Sequence, residues 1–335
     1  MISREIGWSN LNNVTFGVIQ QVNKIQKQVC CNCNITTTTT SSSSSTTTTT
    51  STSSSTTTTT TTIAPALRFT TDIVPEQQEF CLVIQTLEDG GPAINYVLDF
   101  GTGDIGSGSI PAGTGTTMSY TYPLGSYEAV MTFDTPERIT QMYINCGTFK
   151  MNTITGLDYL SGLINLYLGG NNLTTIDVSQ NANLLALDVA DNLFTDVNNL
   201  IFPNSLLYLS FEANQIVNFD PVNALPSGLS SLYLHFNQIV TFNPTQPLPS
   251  ALYNLDLTNN LINIFNPTLP LPNGLGYLAL GNNQMTLAGY TASESWANAM
   301  SIMLGRDIYF NGNIDSVSGT NLKTILISKG WNVYG

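Results

Sequence analysis

The chain has 335 residues, enough for two or three domains, and 9% of them are charged, with 9 Lys plus Arg against 22 Asp plus Glu for a net charge of −13. No basic patch exists to neutralise phosphates, so nucleic acid is excluded as a partner, and an anionic membrane surface with it. Sparse charge with abundant Thr, Ser, Asn and Gly is the composition of extracellular or virion-surface β-structure. No segment approaches the roughly 18–20 apolar residues of a membrane helix, so no insertion is expected. Met1–Trp8 shows neither an apolar run nor a small-residue cleavage site, and no secretory leader is expected.

Residues 9–29 read as a helix. Ser9 is its N-cap, and Leu11, Val18, Val22, Ile25 and Val29, with Thr15 between, fall near a heptad spacing. Three heptads are short for an independent coiled coil, so the stripe predicts a homo-oligomer seam or a peg held by a larger particle. The segment loosely resembles the N-terminal anchors of phage tail and fibre proteins. Cys30, Cys31 and Cys33 follow, open to an interchain disulfide, a metal or reduced thiols, although the spacing is too tight for paired zinc knuckles. No metal or other cofactor is assigned. Residues 1–35 are thus an expected anchor, joined by residues 36–62.

Thr36–Thr62 is 27 residues of Thr and Ser alone. It has no apolar surface to bury. Fully extended it spans roughly 90 Å at about 3.3 Å per residue. It is a disordered linker or, if the chain is an oligomer, an ordered stalk.

Residues 63–149 turn to strands: Phe80–Ile84, Tyr96–Phe100, Met118–Tyr122, Tyr127–Phe133 and Ile139–Ile144, divided by Gly, Pro and Asp clusters. Short strands at this density predict a β-sandwich. Leu98-Asp99-Phe100-Gly101-Thr102-Gly103 and Tyr120-Thr121-Tyr122-Pro123-Leu124-Gly125-Ser126-Tyr127-Glu128-Ala129-Val130 resemble the PKD-type immunoglobulin-like module, with Thr102 where Asp is usual and Tyr120 where His is usual. The resemblance implies a spacer and no binding site. Cys81 and Cys146 lie in its first and last strong strands, and sequence leaves a bond between them open.

From Leu163 one phrase recurs. Leu163, Leu166, Leu168, Asn171 and Leu173 spell L-x-x-L-x-L-x-x-N-x-L, and it returns from Leu184, Leu206, Leu229, Leu252 and Leu275, spaced 21, 22, 23, 23 and 23 residues. Asparagine holds the ninth place each time: Asn171, Asn192, Asn214, Asn237, Asn260 and Asn283. The pattern resembles the leucine-rich-repeat family, which implies a solenoid whose asparagine amides bond backbone groups left unpaired by the turn. Phe202-Pro203, Leu225-Pro226, Leu248-Pro249 and Leu271-Pro272 look like the short bacterial subclass, and proline there disfavours a convex helix. Residues 150–291 are assigned to the solenoid and 292–335 to its cap. Within the cap, Ala292–Met303 has helical spacing around Trp296, Met300 and Met303. Ile308, Phe310 and Asn313 repeat the strand phrase in degraded form, and Thr320–Ser328 reads as a helix before Trp331. Both tryptophans are read as cap packing. The fold class is therefore mainly β: N-terminal helix, Thr/Ser stalk, β-sandwich, then leucine-rich-repeat solenoid with a mixed α/β cap.

No catalytic constellation emerges. His235 is the only histidine and has no nucleophile in an elbow phrase, and the carboxylates are scattered. No Cys follows Cys146, as a ubiquitin-ligase domain after the repeats would need. A non-enzymatic protein is expected. Strand alternation sends places three, five and seven of each repeat to the concave face. There Tyr167, Asp188, Tyr208, Glu212, Tyr233, His235, Asp256 and Tyr277 form a face with aromatic planes and polar edges, suited to a host-surface protein or glycan. The bland alternative is a solvated sheet rich in a good strand former. The parts taken together predict a phage fibre or appendage on the virion surface, a homo-oligomer, trimer first, held to virion proteins through residues 1–35. A bacterial cell-surface leucine-rich-repeat adhesin is the alternative; an intracellular scaffold fits the Thr/Ser tract poorly.

Overall fold

Apolar residues at places one, four and six of each repeat must find a common interior, and the chain coils to supply one. The computed structural model describes residues 65–73, 78–144 and 149–335. The expected N-terminal helix, Cys30, Cys31, Cys33, the Thr/Ser tract and Cys146 lie outside the described residues. The described part is mainly β, with eleven strands of one sheet running from end to end. None of its helices is long and apolar enough to cross a membrane.

The first unit is two-layered. One sheet has the order β4-β3-β6-β1-β8, built from β1 (Leu67–Ile73), β3 (Ile94–Asp99), β4 (Ile105–Ile110), β6 (Gly125–Phe133) and β8 (Met151–Thr155), all antiparallel. The facing layer is β5 (Gly115–Tyr122), β2 (Gln78–Thr86) and β7 (Ile139–Ile144). Phe69 of β1 stacks on Phe80 of β2 with ring centroids 5.2 Å apart, and Phe149 and Tyr122 close around them. Cys81 is buried on β2. Three strands go beyond those expected: β1, β4 and β8, the last lying inside 150–291 yet pairing with β1.

β7 is shared. On one side it pairs antiparallel with β2, and on the other it pairs in parallel with β9 (Asn165–Tyr167), matching Gln141 to Asn165, Met142 to Leu166 and Tyr143 to Tyr167. Ile139, Met142 and Ile144, all fully buried, thereby occupy places one, four and six of a repeat that precedes the first leucine phrase. The layered unit is the solenoid's N-terminal cap, joined to it through the shared strand β7.

β9 to β14 follow as three-residue parallel strands in unbroken register: β10 (Ala186–Asp188), β11 (Tyr208–Ser210), β12 (Ser231–Tyr233), β13 (Asn254–Asp256) and β14 (Tyr277–Ala279). The place-nine asparagines join the turns. Asn237 is typical: Nδ2 donates to the carbonyls of Phe211, Leu234 and His235, and Oδ1 accepts from the Ile216 amide, 2.9 Å away in the preceding turn. Asn171 extends the same ladder into the cap, accepting from Met151 N and donating to Ile144 O. Place eight is left-handed in all six turns, at Gly170 with φ of 73° and at Asp191, Ala213, Phe236, Asn259 and Asn282 with φ of 50–56°.

The return segments carry no helix between Tyr159 and Leu287. Pro203, Pro226, Pro249 and Pro272 each offer a carbonyl to the amide of the next repeat's first leucine, at 3.0–3.1 Å. Behind them Phe219, Phe242 and Phe265 stack at 5.9 and 6.0 Å, and Trp296 closes the row edge-on at 5.1 Å. The C-terminal cap begins at α1 (Leu287–Ala292) and α2 (Glu294–Ala299), before the expected start at 292 and short of Met303. It ends with β15 (Arg306–Tyr309), α3 (Asn321–Ser328) and β16 (Trp331–Tyr334), and the two strands carry on the parallel sheet. Asn313 is the last rung, bonded to Leu280 O, Phe310 O and Met285 N.

The ladder is testable. Asn237→Ala strands buried amide and carbonyl groups and costs about 3 kcal/mol in urea unfolding. Ala213→Gly relieves a left-handed alanine and gains about 0.5–1 kcal/mol after the entropy of the unfolded glycine is subtracted.

Candidate functional site

Register stacks the concave residues into rows. Place five runs Tyr143, Tyr167, Asp188, Ser210, Tyr233, Asp256, Ala279, Tyr309 and Tyr334 across successive strands. Place three runs from Gln141 through Asn165, Ala186, Tyr208, Ser231, Asn254 and Tyr277 to Asp307 and Asn332. The centre of the face brings together six of the expected residues. Tyr208 and Tyr233 lie 5.3 Å apart with rings tilted by 41°, and His235 stands edge-on to Tyr233 at 6.0 Å. His235 Nε2 is 3.0 Å from Glu212 Oε1, and Nδ1 is 3.9 Å from Asp256 Oδ2. Asp256 Oδ1 accepts from the Thr258 amide at 2.9 Å, and Asp188 Oδ1 accepts from Ala190 in the same way.

Two expected residues sit apart from that centre. Tyr167 is 3% exposed and lies 6.1 Å from Tyr143, so it presents little surface. Tyr277 instead heads a second aromatic group, 5.2 Å from Tyr309, which stacks on Tyr334 at 4.6 Å. Asp307 binds that group through Asn332 Nδ2 and the Tyr334 hydroxyl. Tyr143, Asp307, Tyr309 and Tyr334 were not anticipated. Their signal was available: Tyr143 lies between Met142 and Ile144 as Tyr167 lies between Leu166 and Leu168.

Electrostatics single out one group. Asp188 is 7% exposed, and burial pushes its carboxyl up to about 6, opposed by the Ala190 amide and reinforced by the charge of Glu212. Burial pulls the His235 imidazole down, but the Glu212 hydrogen bond and the charges of Asp256 and Asp188 outweigh it, so the imidazole stays protonated above its ordinary range. Burial, followed by the Asp188 charge, also keeps the Tyr208 hydroxyl neutral. Among the described residues no group of three or more His, Cys, Asp or Glu is placed to hold a metal ion. One cavity of about 250 Å³ is lined by Leu157, Asp158 and Asn181 and another of about 390 Å³ by Pro267, Trp296 and Met300, neither of them by His235.

A parallel ladder of short strands, in-register leucines and a continuous asparagine ladder define a leucine-rich-repeat fold. No protein-family model matches the chain, and no curated protein matches it. Among solved structures it is similar to the leucine-rich-repeat protein LIC12759 of Leptospira interrogans, with 22% identity over 55% of this chain and 58% of that one and a TM-score of 0.25. It is also similar to the functional domain of InlJ from Listeria monocytogenes, which includes a cysteine ladder, with 19% identity over 60% of this chain and 54% of that one and a TM-score of 0.23. The chain spans a little over half the length of each. Superpositions that loose carry no weight, and the fold rests on this chain's own ladder.

Asp188 sets the pH response. Its folded value, about 6, lies above its ordinary 3.8, so the folded state holds the proton more tightly and stability rises as pH falls from 7 towards 4. His235, also held above its ordinary value, acts with the same sign. Asp188→Asn keeps the acceptor for Ala190 and removes the buried charge. It stabilises by up to about 3 kcal/mol near pH 7.5 and by almost nothing near pH 4, as read from melting curves at the two pH values.

Proposed function

We propose that this chain is a non-enzymatic adhesive surface protein whose leucine-rich-repeat head grips a host-surface protein or glycan with its concave face. The observation that carries this reading is the central cluster of Tyr208, Tyr233, His235, Glu212 and Asp256, each partly exposed around the buried Asp188 and spaced by the parallel ladder. Partly exposed tyrosines give large contact area at little entropic cost, and polar groups at their edges fix orientation. Asp188 supports it further: a buried carboxylate that costs stability is the kind of residue retained for function.

In the finer form of the proposal the protein is a phage fibre or appendage. Residues 1–35 anchor it to the particle, residues 36–62 hold it away, and the PKD-like layered unit caps the head in a homotrimer. The order of parts along the sequence supports this form, together with a composition poor in charge. Purified phage particles should yield peptides of this chain by mass spectrometry, and light scattering of the isolated protein should give three copies per particle. Peptides on bacterial cells and absent from virions would favour the cell-surface adhesin instead. For the head, Tyr208→Ala combined with Tyr233→Ala should lower adhesion by about tenfold or more while the fold persists in circular dichroism. Adhesion that survives the pair would remove the concave face from the reading.

A further inference from the structure

We infer that the partner of the concave face is a basic protein segment, whose lysine or arginine side chains lie over the Tyr208 and Tyr233 rings and against the carboxylates of Glu212 and Asp256. The inference rests on the adhesive reading above and names the chemistry of its partner.

Charge comes first. Places three, five and seven from Asn165 to Gly281 hold Asp188, Glu212 and Asp256 and no Lys or Arg, and Asp307 continues the acidic row on β15. Nothing on these rows offsets those carboxylates except His235, whose Nε2 is already engaged by Glu212 at 3.0 Å and whose Nδ1 lies 3.9 Å from Asp256. Geometry comes second. The Tyr208 and Tyr233 rings are tilted by 41° rather than coplanar, which makes a corner with two π-faces; such a corner suits a compact cation better than the flat face of a sugar ring. A cationic segment laid along the strands would meet the ring faces of Tyr208 and Tyr233 and the carboxylates of Glu212 and Asp256 at the centre of the face.

The groups around His235 give the inference a pH signature. Glu212 and Asp256 flank it on either side, Asp188 lies beyond Glu212, and Tyr233 and Phe236 pack on its ring. Acid protonates His235 and Asp188 together, raising the local charge, so a cationic partner binds more weakly near pH 5.5 than near pH 8.

The test uses the full chain in biolayer interferometry with a lysine-rich peptide, the same peptide fully acetylated, and a neutral chito-oligosaccharide. The lysine-rich peptide should bind, more tightly near pH 8 than near pH 5.5, and the acetylated peptide should not. Glu212→Gln with Asp256→Asn should weaken it by about tenfold or more, whereas Asp177→Asn with Asp196→Asn, an equal charge change on the return segments, should leave it unchanged. Equal binding of the acetylated peptide, displacement by the oligosaccharide or an equal loss in the control pair would overturn the inference. Adhesion lost in the Tyr208→Ala and Tyr233→Ala variant, with no binding of the lysine-rich peptide to the unaltered chain, would leave the adhesive reading standing and remove the basic partner. Adhesion unchanged in that variant removes both.

Discussion

The solenoid depends on one amide repeated at one place. Every turn sends backbone carbonyls and an amide into an apolar interior, where an unmatched group costs as much as a good core residue contributes. The place-nine asparagine answers that demand in two directions, donating to its own turn and its predecessor and accepting from the predecessor's amide. Because each amide reaches back one turn, the rungs lock the pitch of the coil. Leucines at places one and four, with Leu, Val or Phe at place six, fill the interior whose dimensions the rungs have set.

That constraint reaches the concave face. With pitch and register fixed, side chains at places three, five and seven fall into rows, and residues more than twenty positions apart in sequence become neighbours. Tyr208 meets Tyr233 and Glu212 meets His235 for this reason alone. The ring corner, the paired imidazole and the buried Asp188 carboxylate are consequences of a ladder formed on the opposite side of the same strands. A charge-bearing group is held in a desolvated place by a scaffold that does not need it, and its cost falls on the scaffold's stability.

Much of this was legible, and the reasons for the remainder are physical. Periodicity marked each turn from Leu163 onward because the interior demands leucine there, and the proline phrases marked the irregular return segments. β4 was invisible because Ile-Gly-Ser-Gly-Ser-Ile buries only its last residue and so carries no alternation to read. β8 was placed with the solenoid because nothing in Met-Asn-Thr-Ile-Thr tells which sheet it will join. Ile139, Met142 and Ile144 spell the repeat, but they also serve a strand that pairs antiparallel with β2, and the second role concealed the first. The left-handed place eight was illegible because Ala213 and Phe236 hold it without the glycine that would signal it. Within the site, the rows follow from counting places. The burial of Asp188 and Tyr167 does not, since it depends on how closely neighbouring rows crowd them.

The shared strand β7 has a mechanical side. Two units joined by a flexible tether turn freely against one another. Here a single sheet of hydrogen bonds passes from the layered unit into the repeats, with Asn171 riveting the joint from within. The concave face and the layer formed by β5, β2 and β7 are therefore parts of one continuous hydrogen-bonded sheet. β16 and β5 are the two edges of this sheet, each held by a neighbour on one side only, and the joint at β7 lies in its interior.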